Sequence, residues 1–417
     1  MAAPCLPAIR FRDGTVEFPV HHMRGGTSTG LVLWERLVPR DLELREALLR
    51  LLMGVPASGR APGNRQITGL GRGAATSNKV FFADTETVDG QPRLVSTLAQ
   101  LAAEHADIDW GVNCGNMSAA LQLWAQDVDL LTDGTIEIRN TNTGVLTRSR
   151  MTRAPDDGFE LAAIPGVAGR YPGVDLFLQR PVGARTGRLL PTGQPMDRIA
   201  GRHVSCVDVA VPMLIARAAD FGITGDESPQ TLGADATLMR ALRETWVEGG
   251  LRMGLRHRDG RLMDAAALAR SETVPKICLV SPPRAGGHVS VRYFTPQSAH
   301  ATMAVSGGCC LAAAVLTPGT VAHAVSIGAS VLGPDVAAHR VDIENPAGIL
   351  EATVVARAAV GSIDIDSVAY RRSAQILLRG HVPLYGASDA LVASLLALRS
   401  DACVAASCSM GTPSRGQ

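Results

Sequence analysis

Taken as a pattern of apolar and polar positions, the first third of the chain predicts strand, loop, helix and strand in turn. A short strand over residues 14–20 runs into the glycine-rich turn Arg24-Gly25-Gly26-Thr27-Ser28-Thr29-Gly30, and an apolar strand over 31–34 follows. Asp41 then caps LELREALLRLLMG, whose apolar residues fall at helical spacing and whose Gly54 marks its end. A loop rich in glycine, proline and alanine leads to Ala74-Ala75-Thr76-Ser77-Asn78-Lys79. Val80-Phe81-Phe82 resumes a strand, residues 91–112 carry another, and Asn113-Cys114-Gly115-Asn116 opens the helix MSAALQLWAQDV.

The second half echoes the first. Residues 204–211 read as one strand, 235–250 as an amphipathic helix, 277–280 as a buried strand and 288–294 as an alternating one. Ser306-Gly307-Gly308 then opens the helix CCLAAAVL. In each half a strand region passes through a glycine-containing turn into a helix of small residues with a cysteine near its start. That echo predicts a pseudo-duplicated α/β protein whose two helix N-termini face a shared cleft. The Gly- and Pro-rich stretch 165–202 reads as the linker, and 352–385 returns to alternating strands. The expected domains are 1–195, completed by a strand near 370–385, and 196–369, with a tail over 386–417 that frays from 404.

Composition narrows the function classes. With 417 residues and 46% apolar content the chain can bury a full core. A net charge of +1 gives no global attraction to nucleic acid or anionic membrane, and 4% aromatics gives no base-stacking platform. No apolar run reaches the roughly 20 residues of a membrane span, and the N-terminus has no apolar leader core. Eight scattered cysteines without a CxxC pair read as free thiols in a reducing cytoplasm, with no zinc site. Of the 40 cationic residues only Lys79 and Lys276 are lysines. Arginine does not give up its proton, whereas lysine can act as acid or base, so each lysine is a candidate for work arginine cannot do.

Three motifs carry chemistry. Gly26-Thr27-Ser28-Thr29-Gly30 has the GxSxG form of a nucleophile elbow but leads into a strand, not a helix. Its backbone N–H groups and the hydroxyls of Thr27 and Ser28, beside Arg24, suit a carboxylate better; the plain alternative is a hairpin turn. Cys114 at a helix start would feel the positive end of the dipole, which favours the thiolate. Gly115 allows close approach of a ligand, and Asn113 and Asn116 offer amide donors; the bland alternative is a small buried cysteine. Cys309 and Cys310 point about 100° apart on a helix, so at most one could face a cleft. His300 could contact a second carboxylate or be a structural histidine. His21 and His22 alternate across a strand and make no metal pair.

The segments MRGGTSTG, ATSNKVFF, VNCGNMSAAL, RNTNTGV, LLPTGQPMD, TVPKICLVSPP and HATMAVSGG occur in the order found in the PrpF family, which the chain resembles over residues 15–385. That family contains methylaconitate, methylitaconate, 4-oxalomesaconate and aconitate isomerases. The resemblance implies an α+β, diaminopimelate-epimerase-like fold: two related domains, each a mixed barrel around a central helix, with an interdomain cleft. It also implies a cofactor-independent isomerase of small unsaturated di- or tricarboxylic acids, shifting a double bond or its cis–trans geometry. Lys79 and Cys114 would transfer the proton. Arg24, Thr27, Ser28 and the N–H groups at Gly115-Asn116 and at Ser306, Gly307 and Gly308 would hold carboxylates. Lys276 falls in VPK, where an anion contact and a structural role both stay open.

The chain also departs from the family. Thr29 stands where RGGTSKG has a lysine, Val209-Ala210-Val211-Pro212 replaces a GMP element, and Ala304 stands where epimerases carry a second catalytic cysteine. Ala304 argues against a symmetric two-thiol racemase or epimerase. Thr29 is the main support for the remaining alternative, a carboxylate-binding homologue without chemistry. The expected partners are a small anionic carboxylate and, as an open alternative, a second copy of the chain.

Overall fold

The computed structural model describes residues 7–408 apart from 74, 112, 132–133, 156–157, 258 and 272, with side chains omitted at 75 and 400–408. Cys5, the thiols of Cys403 and Cys408, and the expected fraying beyond 408 therefore lie outside the described residues. The elements form an α+β fold of mixed sheet and helices. They divide into two units. The first comprises Met1–Ala162, Tyr171–Val174 and Arg372–Gln417; the second comprises Ala163–Arg170 and Asp175–Arg371. The chain thus changes unit within the first part of the Gly- and Pro-rich stretch, and residues 175–202 belong to the second unit.

In the first unit, Thr15–Gly25 and Ser28–Trp34 form an antiparallel hairpin that reverses at Gly26, where φ is 54°. Both strands are longer than the apolar runs suggest, because polar residues of the turn motif join the ladder. The return strand runs parallel to Lys79–Val88, with Gly30 opposite Lys79. A two-residue turn at Asp89-Gly90, both with positive φ, leads back into Gln91–Ala102, as Asp-Gly turns do. His105–Asp109 then pairs with Gln91–Ala102, and Gly134–Asn140 and Leu146–Met151 extend the sheet. The helix Leu42–Met53 is capped as expected: the Asp41 carboxylate accepts from Leu44 N–H at 2.9 Å, and Gly54 closes it at φ 66°.

The helix Gly115–Asp127 is buried from Met117 to Ala125 against this hairpin. Its approach is set by glycine. A Cβ added to Gly25 would lie 2.5 Å from the Asn116 carbonyl oxygen and 2.8 Å from Met117 Cα. Only a residue without a side chain lets the helix N-terminus come so close to the strand.

The second unit repeats the order with different side chains. Its hairpin is Arg202–Val209 and Val211–Arg217, so the apolar stretch 204–211 is not one strand. The chain reverses at Ala210, which takes φ 62° in the left-handed region. Val211–Arg217 runs parallel to Lys276–Ser281, with Met213 opposite Lys276. Val289–Thr295 pairs back antiparallel, and Ala337–Asn345, Gly348–Ala359 and Ser362–Pro383 complete the sheet. The helix Val305–Leu316 is buried from Gly307 to Leu316, as a helix apolar on all sides must be. It starts before Ser306, so Ser306, Gly307 and Gly308 belong to its first turn and do not precede it.

The two lysines occupy matching places. Each opens a strand that runs parallel to the return strand of its hairpin, and each lies opposite that strand's third residue, Gly30 or Met213.

Candidate active site

Cys114 is the N-cap of Gly115–Asp127 and is partly exposed. Its side chain does not cap the helix; its Sγ lies 4.0 Å from Ser28 Oγ. The first intrahelical bond runs from Ser118 N–H to the Cys114 carbonyl at 2.9 Å. The N–H groups of Gly115, Asn116 and Met117 precede it and form the positive end of the helix dipole. Asn113 Oδ1 accepts from the Cys114 N–H at 2.7 Å, which fixes the entry to the turn. Asn116 Nδ2 donates to Thr27 Oγ1 at 3.2 Å, tying helix to hairpin. Asn116 Oδ1 is buried with no hydrogen-bond partner among the described residues. The hydroxyls of Thr27 and Ser28, the thiol of Cys114 and three backbone donors thus surround one helix start.

Lys79 joins them by strand register. Side chains two apart on a strand share a face, so Ser28 and Gly30 look the same way. Lys79 is opposite Gly30, and a Cβ built on Gly30 would lie 3.0 Å from Lys79 Cβ. Lys79 therefore rises from the same face as Ser28, the face that receives the helix N-terminus. It is 9% exposed, and its Nζ donates to Gln100 Oε1. No carboxylate pairs with it among the described residues.

Arg24 has structural partners that the sequence does not suggest. It is buried; Nη1 donates to the Gly26 carbonyl at 2.8 Å and to the carbonyl and hydroxyl of Ser373 at 3.1 and 3.2 Å. Its guanidinium stacks over Tyr171, 4.6 Å from the ring centroid. Arg24 Nη1 clasps the hairpin tip to the strand Ser362–Pro383, while its Nη2 has no hydrogen-bond partner among the described residues. Thr29 pairs with Arg24 and so lies on that same face, away from Ser28 and Lys79. The lysine that Thr29 replaces would not have stood beside Lys79.

In the second unit, burial lowers the pKa of Lys276. Burial also lowers that of His300, and the charge of Lys276 acts the same way. His300 Nδ1 accepts from Thr302 N–H at 2.9 Å, and its ring meets Tyr293 edge-on at 5.7 Å. Gly307 and Gly308 serve packing: added Cβ atoms would lie 2.5 Å from the Tyr293 ring and 2.3 Å from the Tyr370 ring. The Gly308 N–H is not available to an anion, because it bonds the Ala304 carbonyl at 2.9 Å. Only the N–H groups of Val305, Ser306 and Gly307 precede the first helical bond. Cys309 and Cys310 are fully buried, and burial pushes the Cys310 thiol well up, so both are core residues and not nucleophiles.

A residue of one of these motifs, for which the sequence suggests no role, helps hold this arrangement. Asn142, in the segment RNTNTGV, donates to the carbonyls of Leu98 and Trp110 at 2.8 and 2.7 Å and accepts from Leu98 N–H at 2.7 Å. It fastens the segment leading to Cys114 onto the strand that carries Gln100. No His, Cys, Asp or Glu cluster of metal-binding geometry occurs among the described residues, and no helix there is long and apolar enough to cross a membrane.

The chain is similar to known proteins over most of its length. The sequence profile of the family described as "PrpF protein" matches residues 15–385. A 4-oxalomesaconate tautomerase of Pseudomonas putida is 32% identical over 80% of this chain and 88% of its own length. A (4E)-oxalomesaconate Delta-isomerase of Novosphingobium sp. is 31% identical over 87% and 96% respectively. The crystal structure of a methylitaconate-delta-isomerase superposes with a TM-score of 0.74, at 27% identity, over 91% of this chain and 97% of that one. With the profile spanning nearly the whole chain, the protein is a member of the PrpF family.

Proposed function

We propose that this isomerase moves a carbon–carbon double bond, or changes its cis–trans geometry, in a small unsaturated di- or tricarboxylic acid by allylic proton transfer without a cofactor. The observation that carries the reading is the single face shared by Lys79, Ser28 and Cys114 at an open helix N-terminus. The relatives named for oxalomesaconate and methylitaconate support the substrate class. The repeated element order supports two related halves of a diaminopimelate-epimerase-like fold.

The N–H groups of Gly115 and Asn116, with the hydroxyls of Thr27 and Ser28, hold a substrate carboxylate against the helix dipole. The Lys79 amine takes a proton from the carbon next to the double bond. A C–H bond breaks, an N–H bond forms, and the electron pair spreads through the alkene onto the carboxylate or keto group as a dienolate. The helix N-terminus stabilises that charge. Cys114 or the Lys79 ammonium returns a proton at the far allylic carbon, and the double bond is left displaced by one position.

The test is to incubate the protein with 4-oxalomesaconate, methylitaconate, methylaconitate and aconitate in deuterated water and follow them by NMR. Deuterium entering an allylic position of at least one acid, together with isomer formation, is the expected result. Binding without exchange for all four would leave a carboxylate-binding protein in place of the isomerase.

A further inference from the structure

We propose that Gln100 is the positioning residue for the Lys79 amine, an inference that rests on the role given to Lys79 above. Gln100 lies directly opposite Lys79 in the antiparallel pair of Lys79–Val88 with Gln91–Ala102, so both side chains rise from one face. Its Nε2 donates to the carbonyls of Asn78 and Leu101, each at 2.9 Å. Carbonyl oxygens only accept, so these bonds settle the direction of the amide. Oε1 is turned toward Lys79, and Nζ donates to it.

The amide is anchored further back. Asn78 Oδ1 accepts from Gln66 Nε2 at 2.7 Å, and Asn78 Nδ2 donates to the Gly73 carbonyl at 3.0 Å. Gln66 Nε2 also donates to the Met53 carbonyl at 2.9 Å, and its Oε1 accepts from Gly73 N–H at 2.7 Å. Gln66 holds a left-handed backbone, φ 55°, to do this. Neutral amides and backbone groups therefore run from the end of the helix Leu42–Met53 to Lys79.

Neutrality is the point of the arrangement. A lysine on four rotatable bonds needs a fixed acceptor to hold its nitrogen over a substrate carbon. A carboxylate there would also fix it, but would favour the ammonium, which cannot accept a proton. Glutamine gives the position without the counter-charge. The other titratable groups described on this face include the Cys114 thiol, Asp109 and His21, which is opposite Val32 and meets Asp127 Oδ2 at 3.0 Å at the far end of the helix, where Arg379 also pairs with Asp127. Asp109 is opposite Gln100 in the next strand pair, exposed, and accepts from Gly111 N–H at 2.7 Å.

The presence of only two lysines makes the test direct. Full-length protein labelled with 13C at the lysine ε-carbon gives two lysine signals, and Lys276→Met assigns them. Gln100→Glu is expected to raise the titration midpoint of the Lys79 signal, and Gln100→Met, which removes the acceptor, to lower it; the two variants should differ by at least about one pH unit. Gln100→Met should also lower kcat about ten- to a hundredfold with KM little changed, on whichever of the four acids the wild type isomerises. Far-ultraviolet circular dichroism confirms that each variant is folded. Equal midpoints in both variants, or an unchanged kcat in Gln100→Met, would overturn the inference. Neither outcome touches the role of Lys79, which Lys79→Arg tests separately.

Discussion

The two units carry the same succession of elements to different ends. Each has a hairpin, a strand opened by a lysine, and a helix of small residues. In the first unit the residue opposite the lysine is Gly30, the helix cap is Cys114, and hydroxyls and amides ring the first turn. In the second, the residue opposite the lysine is the fully buried Met213, and the cap is Ala304. Two tyrosine rings press on the first-turn glycines there. The element order recurs, but the groups proposed to move the proton, Lys79 and Cys114, both belong to the first unit. The second unit has Lys276, His300 and the N–H groups of Val305, Ser306 and Gly307, which under the proposed mechanism hold charge and do not move the proton.

That asymmetry can be broken by experiment, and the largest effect is expected at Lys79. Lys79→Arg keeps the cation but loses the capacity to accept a proton near neutral pH. Turnover should fall by roughly two to four orders of magnitude with substrate affinity little changed. Retention of more than about a tenth of wild-type turnover would make Lys79 a binding charge only, and Cys114 would have to carry the proton. A smaller effect is expected at the matching lysine: Lys276→Met should raise KM about tenfold, the value of roughly one charge-assisted hydrogen bond, and leave kcat near wild type. If it silenced turnover as fully as Lys79→Arg, the two copies would be chemically equivalent after all. The smallest effect is expected at the second helix cap. Ala304→Cys restores a thiol at the second helix start and should leave the rate unchanged, whereas Cys114→Ala should cost about a hundredfold. A gain of exchange rate in Ala304→Cys would show that the second helix start also faces the reacting carbon.

What could be read from the sequence follows from which signals are local. Asp41 and Gly54 bracket their helix because capping is decided by a few adjacent residues, and the Cys114 helix start is legible for the same reason. The reversal at Ala210 is not, because alanine in a left-handed turn carries no glycine or asparagine flag. The first turn at Val305 is hidden because glycines that look like a loop are there to admit the tyrosine rings. The structural part of Arg24 is hidden because its partners at Ser373 lie far along the chain. Gln100 has no motif at all; its meaning lies in the residue across the strand and in two carbonyls.

The strand Ser362–Pro383 spans 22 residues, belongs to the second unit at its start and the first at its end, and pairs over residues 374–383 with Thr15–Gly25. On the ribosome this fixes an order of events. Synthesis at about 5–20 residues per second leaves the first hairpin without its neighbouring strand for tens of seconds. Meanwhile the stretch 175–371 emerges as one continuous unit, with its own sheet complete at least to the start of that strand. An unpaired strand edge exposed during translation is a template for wrong pairing. The unit that carries Lys79 and Cys114 is therefore the last to close, and a nascent chain stalled before residue 362 lacks the strand that Arg24 clasps.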